Sequence, residues 1–331
     1  MRVVFMGTPD FAVPSLKRLE QDGHTVALVV TQADKPRGRG QALTPPPVKA
    51  YAQERGLAVF QPERMKAPET LDRIRDARPD VIVVVAYGRI LPPALLALPR
   101  YGCINVHGSL LPKYRGAAPI QWAVLNGESQ TGVTTMQMNE GLDTGDILLK
   151  KARPLPEDMT AGELFDLLCE DGAALLSDTL RGLEQGTLHP EKQDDAGASY
   201  APMLQKSMSL IDWNKSAWEV HNQVRGLNPW PSACTLYQGK VLKIHASRMG
   251  DATSQPPGTV VGLSPLQVAC GDGRALQLDV VQIEGARRMP AADFLRGHPM
   301  QAGIRLAGRE TQETSTDEKA ATPPERGTCP C

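Results

Sequence analysis

The feature that most constrains the fold is the alternation of short apolar runs with helical patterns in the N-terminal half of the chain. The runs are rich in β-branched residues, which is typical of buried strands. Strands that alternate with helices favour a mostly parallel sheet with helices on both faces, because a parallel connection needs a crossover. Strands are predicted at 2–6, 25–31, 81–86, 102–107 and 132–138, and helices near 46–56, 68–77 and 117–126. The chain is therefore expected to begin with an α/β domain.

A long helix closes this first domain, which we place at 1–188. Thr160 and Glu163 form the pattern of a capping box, and leucines follow at helical spacing. Residues 189–206 are polar, contain two prolines and lack a clear period, so they are predicted to be a linker. The composition thus divides the chain soon after this helix.

The second domain is predicted at 207–308 and is rich in strands. Ser216 and Glu219 give another capping box, for a helix that ends at Gly226. Short strands at hairpin spacing are predicted at 233–237, 240–246, 258–263, 266–270 and 274–281. Five such strands suggest a small Greek-key barrel of the OB kind. Residues 309–331 have almost no apolar side chains and are expected to be a disordered tail.

Composition excludes several classes of protein. The 331 residues carry a formal net charge of −1, and no apolar run is long enough to span a membrane. The six cysteines include no Cys-x-x-Cys pair, so a zinc knuckle or a thioredoxin-type site is not supported. The N-terminus resembles no targeting segment. We expect a soluble, cytoplasmic protein without a membrane partner.

Two polar side chains lie at the end of a predicted strand. Asn105 and His107 are two residues apart, so on an extended strand both leave the same face. Gly108 and Ser109 then break the strand, at the edge where open α/β sheets bind ligands. Taken alone, such a pair is more often a satisfied turn than an active site.

A third candidate, Asp143, follows the strand predicted at 132–138, in a loop with two glycines. Asp143 could turn into the same edge as His107, where its carboxylate would orient the imidazole. Asp is also common in glycine turns with no function. Together with Asn105, the trio fits the addition of an amine to a carbonyl group without a covalent intermediate. Asn105 and His107 would bind the oxyanion, and Asp143 would hold His107 and help to move the proton.

The basic loop at 32–48 is too long for an ordinary connection between a strand and a helix. Lys35, Arg37 and Arg39 stand in it among prolines and glycines. It is either a solvated basic loop or an arm that grips a phosphate backbone. Residues 201–308 also carry more Lys and Arg than Asp and Glu, which is a further hint of phosphate binding.

Other familiar motifs are missing. Gly38-Arg-Gly40 lacks the third glycine of a dinucleotide fingerprint and does not join a strand to a helix. The sequence has no Walker A pattern, no Gly-x-Ser-x-Gly elbow and no His-x-x-x-His pair. No catalytic metal and no covalent nucleophile are therefore predicted.

These stretches resemble the folate-dependent formyltransferases. Asn105-x-His107-x-Ser109-Leu-Leu-Pro112 and the later Leu142-Asp-Thr-Gly-Asp146 are shared across that group. The loop Lys35–Gly40 and Asn228-Pro-Trp-Pro231 narrow the resemblance to the methionyl-tRNA formyltransferases. The resemblance covers about residues 1–308, and only the tail has no counterpart.

The resemblance implies a Rossmann-like catalytic domain and an OB-like, tRNA-binding domain, in a monomer. It implies that a formyl group passes from 10-formyltetrahydrofolate to the amino group of initiator methionyl-tRNA. The family's catalytic roles fall on Asn105, His107 and Asp143, and its tRNA-gripping loop on Lys35, Arg37 and Arg39. Its folate contacts fall on two segments that follow strands: Ser109, Leu110, Leu111 and Pro112, and Ala86, Tyr87, Gly88 and Ile90.

Three alternatives stay open from the sequence. A formyltransferase of small amines, such as glycinamide ribonucleotide or an amino sugar, would share the trio but would not need the basic loop or the second domain. A tRNA- or folate-binding protein without activity would be expected to have lost part of the trio. An NAD-dependent oxidoreductase is disfavoured, because Gly7-Thr-Pro-Asp10 cannot cradle a pyrophosphate.

Overall fold

The computed structural model describes residues 1–37 and 42–308. The chain forms two compact units. The first contains Met1–Ala123 and Glu128–Met203, and the second contains Val124–Gly127 and the described residues 204–308.

The first unit is an α/β domain whose strands and helices alternate along most of its length. Its elements in chain order are β1 (Arg2–Gly7), α1 (Val13–Gln21), β2 (Thr25–Val30), β3 (Lys35–Arg37), β4 (Ala42–Thr44), α2 (Pro47–Glu54), β5 (Val59–Phe60), α3 (Pro68–Asp76), β6 (Val81–Val85), α4 (Pro93–Leu96), β7 (Cys103–His107), β8 (Arg115–Gly116), α5 (Pro119–Leu125), β9 (Gln130–Gln137), β10 (Ile147–Pro154), α6 (Ala161–Gln185) and β11 (Tyr200–Ala201).

Seven strands make the main sheet, in the order β10-β9-β7-β6-β1-β2-β5. The five strands from β7 to β5 are parallel, as the alternating pattern predicts. β9, the strand predicted at 132–138, pairs with β7 in the antiparallel sense, and β10 pairs with β9 in the same way. The expectation of a mostly parallel sheet is confirmed, with an antiparallel pair of strands added at one edge.

Helix α6 begins at the predicted capping box. The Thr160 side chain accepts a hydrogen bond from the Glu163 backbone N–H, and the Glu163 carboxylate accepts one from the Thr160 N–H. The helix packs on the sheet, where the hydroxyls of Thr135 and Thr179 are 2.7 Å apart in the buried interface. Burial of this long amphipathic face stabilises the antiparallel edge of the sheet.

Residues 189–203, which the sequence predicts as linker, lie within the first unit. Glu191 exchanges two backbone hydrogen bonds of 2.8 Å with Ile147, at the start of β10. Further along, β11 pairs in parallel with β8. Backbone pairing, rather than an apolar face, fixes this segment, which explains why the sequence shows no period there.

The second unit is an antiparallel β domain, as predicted, and it contains the helix predicted after Ser216 and a second helix that the sequence analysis did not predict. Its elements are α7 (Ala217–Gly226), β12 (Cys234–Tyr237), β13 (Lys240–Ala252), β14 (Val260–Leu263), β15 (Leu266–Ala269), β16 (Arg274–Ile283), β17 (Met289–Pro290) and α8 (Ala291–Gly297). The five longer strands follow the order β12-β13-β16-β15-β14.

A short segment near residue 305, which the sequence analysis did not predict as a strand, closes this second sheet. Arg305 pairs with Thr259, next to β14, and Ala307 pairs with Leu236 in β12. The segment therefore joins the two edge strands and leaves neither edge unpaired, as in a barrel. Within residues 1–37 and 42–308, no helix combines the length and the apolar character that a bilayer-spanning segment needs.

Candidate active site

The candidate site lies where β6 and β7 end in the first unit. Val85 and Val106 are partners in these two parallel strands, so the chain leaves both strands at the same edge of the sheet. The predicted folate segments, which begin at Ala86 and Ser109, therefore follow neighbouring strand ends. This is the edge at which open α/β sheets bind ligands.

His107 is the last residue of β7 and is 6% exposed. Its Nε2 lies 2.9 Å from the carbonyl oxygen of Tyr114. A carbonyl oxygen can only accept, so Nε2 carries the proton and donates it in this bond. The other ring nitrogen, Nδ1, faces the Asp143 carboxylate, with 3.7 Å between Nδ1 and Oδ2. Nδ1 is therefore the ring atom available for chemistry.

Asp143 reaches His107 by a different path from the one expected. The sequence analysis assumed that the preceding strand ends at the same edge as His107. Because β9 runs antiparallel to β7, its last residue, Gln137, lies opposite Ile104, near the start of β7. The loop after β9 folds back along the sheet to bring the carboxylate to the imidazole.

Asp143 has an unusual backbone conformation, and a hydrogen bond fixes its side chain. Its backbone φ is 52°, a left-handed conformation that few non-glycine residues adopt. Its Oδ2 accepts a hydrogen bond of 2.8 Å from the backbone N–H of Gly116. Strained backbone of this kind persists only where the surroundings fix it, and it is concentrated at functional sites.

Asn105 is 8% exposed and lies two residues before His107 on β7. Within the described part of the chain, its side-chain amide makes no hydrogen bond to protein, and no fully buried side-chain nitrogen or oxygen lacks a partner. The Asn105 amide must therefore reach an accessible surface, where its two N–H donors can meet a ligand.

The segment Ser109–Pro112 is fixed by hydrogen bonds that leave its outer surface open to ligand. The buried Ser109 hydroxyl donates to the Lys113 carbonyl oxygen at 2.6 Å. The Thr134 hydroxyl donates to the Ser109 carbonyl at 2.7 Å and accepts from the Leu111 N–H at 3.1 Å. Leu111 is buried, whereas Leu110 and Pro112 are partly exposed.

The other predicted folate segment presents three exposed residues and one buried residue. Ala86, Gly88 and Ile90 are exposed, and Ile90 is one of the most exposed large apolar side chains of the described chain. Tyr87 is 1% exposed, and its hydroxyl donates to the Met65 sulfur at 3.0 Å. Burial raises the pKa of Tyr87. The ring therefore belongs to the core and is not available to a ligand.

The structure describes the base of the basic loop. Lys35 is exposed on β3, which also contains Arg37 and pairs with β4, whereas Arg39 lies outside the described residues. The Lys49 ammonium donates to both Asp34 oxygens and to the Gln61 side chain, each at 2.8 Å. Hydrogen bonds from Lys49 and Gln61 lower the pKa of Asp34, so its carboxylate stays charged at neutral pH. These residues form a polar anchor where the loop leaves the sheet.

Two residues that the sequence analysis did not select support the Asp143 loop. The Gln193 amide donates to the carbonyl oxygens of Asp143 and Gly145, each at 2.8 Å. Arg115 is 3% exposed and donates to the Gln193 oxygen. Gln193 stands in a polar, aperiodic segment, so no local signal marks it. Arg115 is marked only by its position directly before an uncharged run, Gly116–Leu125.

In the described residues, no group of three or more His, Cys, Asp and Glu side chains is arranged to hold a metal ion. The polar groups of the candidate site are instead the amide of Asn105, the imidazole of His107 and the carboxylate of Asp143. Such a set can bind an oxyanion and move a proton.

Comparison with known proteins assigns the chain to a family. The family model "Formyl transferase" matches residues 1–180, and "Formyl transferase, C-terminal domain" matches residues 203–299. The methionyl-tRNA formyltransferase of Citrifermentans bemidjiense is 50% identical over 312 residues, which are 94% of this chain and 98% of that protein. The chain belongs to the methionyl-tRNA formyltransferase family. It is therefore an enzyme of translation initiation, as the resemblance predicts.

Solved structures share the fold of this formyltransferase. The N-formyltransferase from Helicobacter canadensis, crystallised with folinic acid and dTDP-3-aminofucose, has a TM-score of 0.62 at 20% identity and covers 84% of this chain and 98% of its own. The methionyl-tRNA formyltransferase from Clostridium thermocellum has a TM-score of 0.53 at 15% identity and covers 86% and 98%. At these identities the likeness concerns the fold alone: a mostly parallel sheet followed by an antiparallel β domain.

Proposed function

We propose that this formyltransferase moves the formyl group of 10-formyltetrahydrofolate to the α-amino group of initiator methionyl-tRNA, by direct attack of the amine. The observation that carries the proposal is the convergence of Asn105, His107 and Asp143 at one sheet edge, in a chain that is 50% identical to a methionyl-tRNA formyltransferase. The folinic acid in the Helicobacter canadensis enzyme, which shares the fold, supports a folate donor.

The reaction exchanges one C–N bond for another. The neutral methionyl amine attacks the formyl carbon and forms a tetrahedral intermediate with a negative oxygen. The bond from the formyl carbon to the folate nitrogen N10 then breaks. One proton leaves the attacking nitrogen and one proton is gained by N10, so the overall transfer needs no external acid or base.

Asn105 and His107 stabilise the negative oxygen in this scheme. The Asn105 amide has free N–H donors at the site. The Nε2–H of His107 already donates a hydrogen bond to the Tyr114 carbonyl oxygen. His107 therefore donates to the negative oxygen from Nδ1, and it does so as an imidazolium. The nearby Asp143 carboxylate offsets that charge. Each oxyanion donor of this kind typically contributes about 10²–10³ in rate.

Asp143 orients His107 and helps to move the proton from the amine to N10. The separation of 3.7 Å from Nδ1 is longer than a direct hydrogen bond. Nδ1 carries one proton, which the oxyanion accepts in this scheme, so Asp143 acts on His107 through its negative charge and not through a hydrogen bond. A water molecule between carboxylate and substrate would serve the same transfer.

Folate and tRNA occupy different parts of the protein in this proposal. Folate lies against Ser109–Pro112 and the exposed residues of the segment from Ala86 to Ile90. Lys35, Arg37 and Arg39 bind the phosphate backbone of the tRNA, together with the C-terminal β domain at 207–308. The enzyme acts as a monomer, without a metal, in the cytoplasm where charged tRNA is used.

The test is formylation of defined amines by the purified protein. The protein is incubated with 10-formyltetrahydrofolate and charged initiator tRNA, with charged elongator methionyl-tRNA, glycinamide ribonucleotide and an amino sugar as alternative acceptors. We expect product only with initiator methionyl-tRNA, and the same rate after the enzyme is treated with a chelator and desalted. Preference for a small amine would contradict the proposed substrate, and wild-type turnover by His107→Ala would contradict the proposed mechanism.

A further inference from the structure

The segment 191–201 lies between the two family-model matches, which end at residue 180 and resume at residue 203. In the structure it contacts the segment after β7 that contains Arg115, and the start of β10. Its Ser199 carbonyl accepts the Arg115 N–H at 2.8 Å, and its Glu191 pairs with Ile147. Through Gln193 it also reaches the Asp143 loop. The segment that the sequence analysis predicts as a linker is therefore part of the first unit.

Gln193 is the residue of this segment that contacts the Asp143 loop through its side chain. Both bonds from its amide nitrogen, at 2.8 Å to the carbonyl oxygens of Asp143 and Gly145, go to that loop. Its amide oxygen accepts from Arg115, at 3.1 Å to Nε and 2.9 Å to Nη2. The amide thus makes all four hydrogen bonds open to it, two donated and two accepted, and they fix one conformation of the side chain.

Arg115 completes a closed set of contacts around Asp143. Its guanidinium is buried, bonds Gln193 and donates at 2.8 Å to Asp195. The next residue in the chain, Gly116, donates its N–H to the Asp143 carboxylate. The backbone of Asp143 is therefore held by Gln193, its side chain by Gly116, and both partners are joined through Arg115.

We propose that Gln193, supported by Arg115, is a positioning residue that holds Asp143 opposite His107. Asp143 needs such support because its φ of 52° is unfavourable and its loop has to fold back from the far end of β9. The inference rests on the proposed function, since it gives Gln193 a role only through the catalytic role of Asp143.

Gln193→Ala and Gln193→Glu test this role, with Gln185→Ala, at the exposed end of α6, as the matched control. Loss of the amide lets the carboxylate shift, and a misplacement of about 1 Å can cost on the order of 10²-fold in rate. We expect kcat for formylation to fall about 10- to 100-fold in Gln193→Ala, with KM for both substrates changed less than about twofold. Gln185→Ala should keep the wild-type kcat.

Gln193→Glu separates positioning from a merely structural role. The introduced carboxylate can still accept from Arg115, so it keeps one of the two contacts that Gln193→Ala loses, and the melting temperature of both variants is measured so that only folded protein is compared. It has no N–H to give to the carbonyl oxygens of Asp143 and Gly145, so kcat should stay low. Recovery of wild-type kcat in Gln193→Glu would overturn the proposal.

A double-variant cycle with Asp143→Asn shows through which residue Gln193 acts. If Gln193 acts through Asp143, adding Gln193→Ala to Asp143→Asn should slow kcat by less than about twofold more. Full multiplication of the two effects would overturn the inference. A slow Asp143→Asn with wild-type rates in both Gln193 variants would overturn the inference and leave the proposed function intact. A wild-type rate in Asp143→Asn would overturn the proposed role of Asp143, and the role of Gln193 with it.

Discussion

The Asp143 carboxylate lies 3.7 Å from Nδ1 of His107. His107 ends β7, and Asp143 lies in the loop that follows the neighbouring antiparallel strand β9. Both side chains are largely shielded from solvent, with exposed fractions of 6% for His107 and 14% for Asp143. Shielding makes their electrostatic interaction stronger than it would be in water. Substitution of either residue should therefore change the rate of formylation.

The first prediction concerns the charge of Asp143. Asp143→Asn keeps an oxygen that can accept the Gly116 N–H, but it removes the negative charge that faces His107. We expect kcat to fall by about 10²–10⁴, the usual contribution of a positioned acid or base. The measurement is single-turnover formylation of methionyl-tRNA at saturating donor. Glu140→Gln, an exposed carboxylate of the same loop, should keep the wild-type rate, and an equal loss in both variants would contradict the assignment.

The second prediction concerns the fold of the Asp143 loop. A Cβ on Gly145 would overlap the carbonyl oxygen of Gln137, which belongs to the backbone and cannot turn away. Gly145→Ala must therefore displace the loop, and we expect kcat to fall by about 10²-fold or more. Gly297→Ala is the control, because a Cβ there meets open space at the end of α8. If Gly145→Ala forms formylmethionyl-tRNA as fast as Gly297→Ala, the prediction is wrong.

The third prediction concerns the anchor of the basic loop. Asp34→Ala removes the partner of Lys49 and Gln61 and so frees the point where the loop leaves the sheet. Loss of a negative charge would by itself strengthen binding to a polyanion. We expect the opposite, a rise of KM for methionyl-tRNA by about three- to tenfold, because the loop has to be ordered on binding.

The matched control for the loop anchor is Asp76→Ala, which removes an exposed carboxylate at the end of α3. It should leave KM for methionyl-tRNA at or below the wild-type value. In both variants KM for the formyl donor should be unchanged. Tighter binding of methionyl-tRNA by Asp34→Ala would show that charge, and not anchoring, is what this residue contributes.

The fourth prediction concerns the stability of the antiparallel edge. Asp171 of α6 is 4% exposed and pairs with two cations of β10, Lys151 at 2.7 Å and Arg153 at 2.6 Å. Asp171→Ala should lower the free energy of unfolding by about 2 kcal/mol, the scale of hydrogen bonds to charged groups. Asp178→Ala breaks an exposed pair with Arg181 on the same helix and should cost less than about 0.5 kcal/mol. Urea denaturation measures both changes.

The stabilisation by Asp171 should depend on pH in a defined direction. Burial raises the pKa of Asp171, but hydrogen bonds and charges from Arg153 and Lys151 outweigh it, so the pKa lies below its ordinary value. A carboxyl group with a depressed pKa contributes its full stability above the pKa of the unfolded chain, about 3.9. The difference between wild type and Asp171→Ala should therefore be constant from neutral pH to about pH 5 and shrink as the pH falls below about 4. A difference that grows on acidification would contradict this account.

Local patterns predicted the parts of the fold that depend on local physics. The two capping boxes at Thr160 and Ser216 were placed at the right residues, because a cap is a contact within one turn of helix. Four of the five parallel strands, β1, β2, β6 and β7, were predicted from their apolar β-branched runs, whereas the two-residue strand β5 was not. β10 was missed, because Ile147–Pro154 is an edge strand with two lysines and an arginine among its residues.

The candidate site was predictable in part for the same reason. Asn105 and His107 lie two apart on one strand, so a period of two was enough to place them together. Asp143 lies beside His107, but it arrives by a different path from the expected one, since the sequence does not show whether a strand pairs parallel or antiparallel. Gln193 lies 50 residues beyond Asp143, and no spacing connects the two.

By itself the sequence determined the class of fold, the alternation of its elements and the residues of the candidate site. Only the tertiary structure decided that the Asp143 loop folds back, that Nε2 of His107 is held by Tyr114, and that Gln193 contacts the Asp143 loop. The physical reason is that periodicity, capping and turns are interactions between neighbours in the chain. A hydrogen bond between distant segments exists only once the whole domain has closed around it.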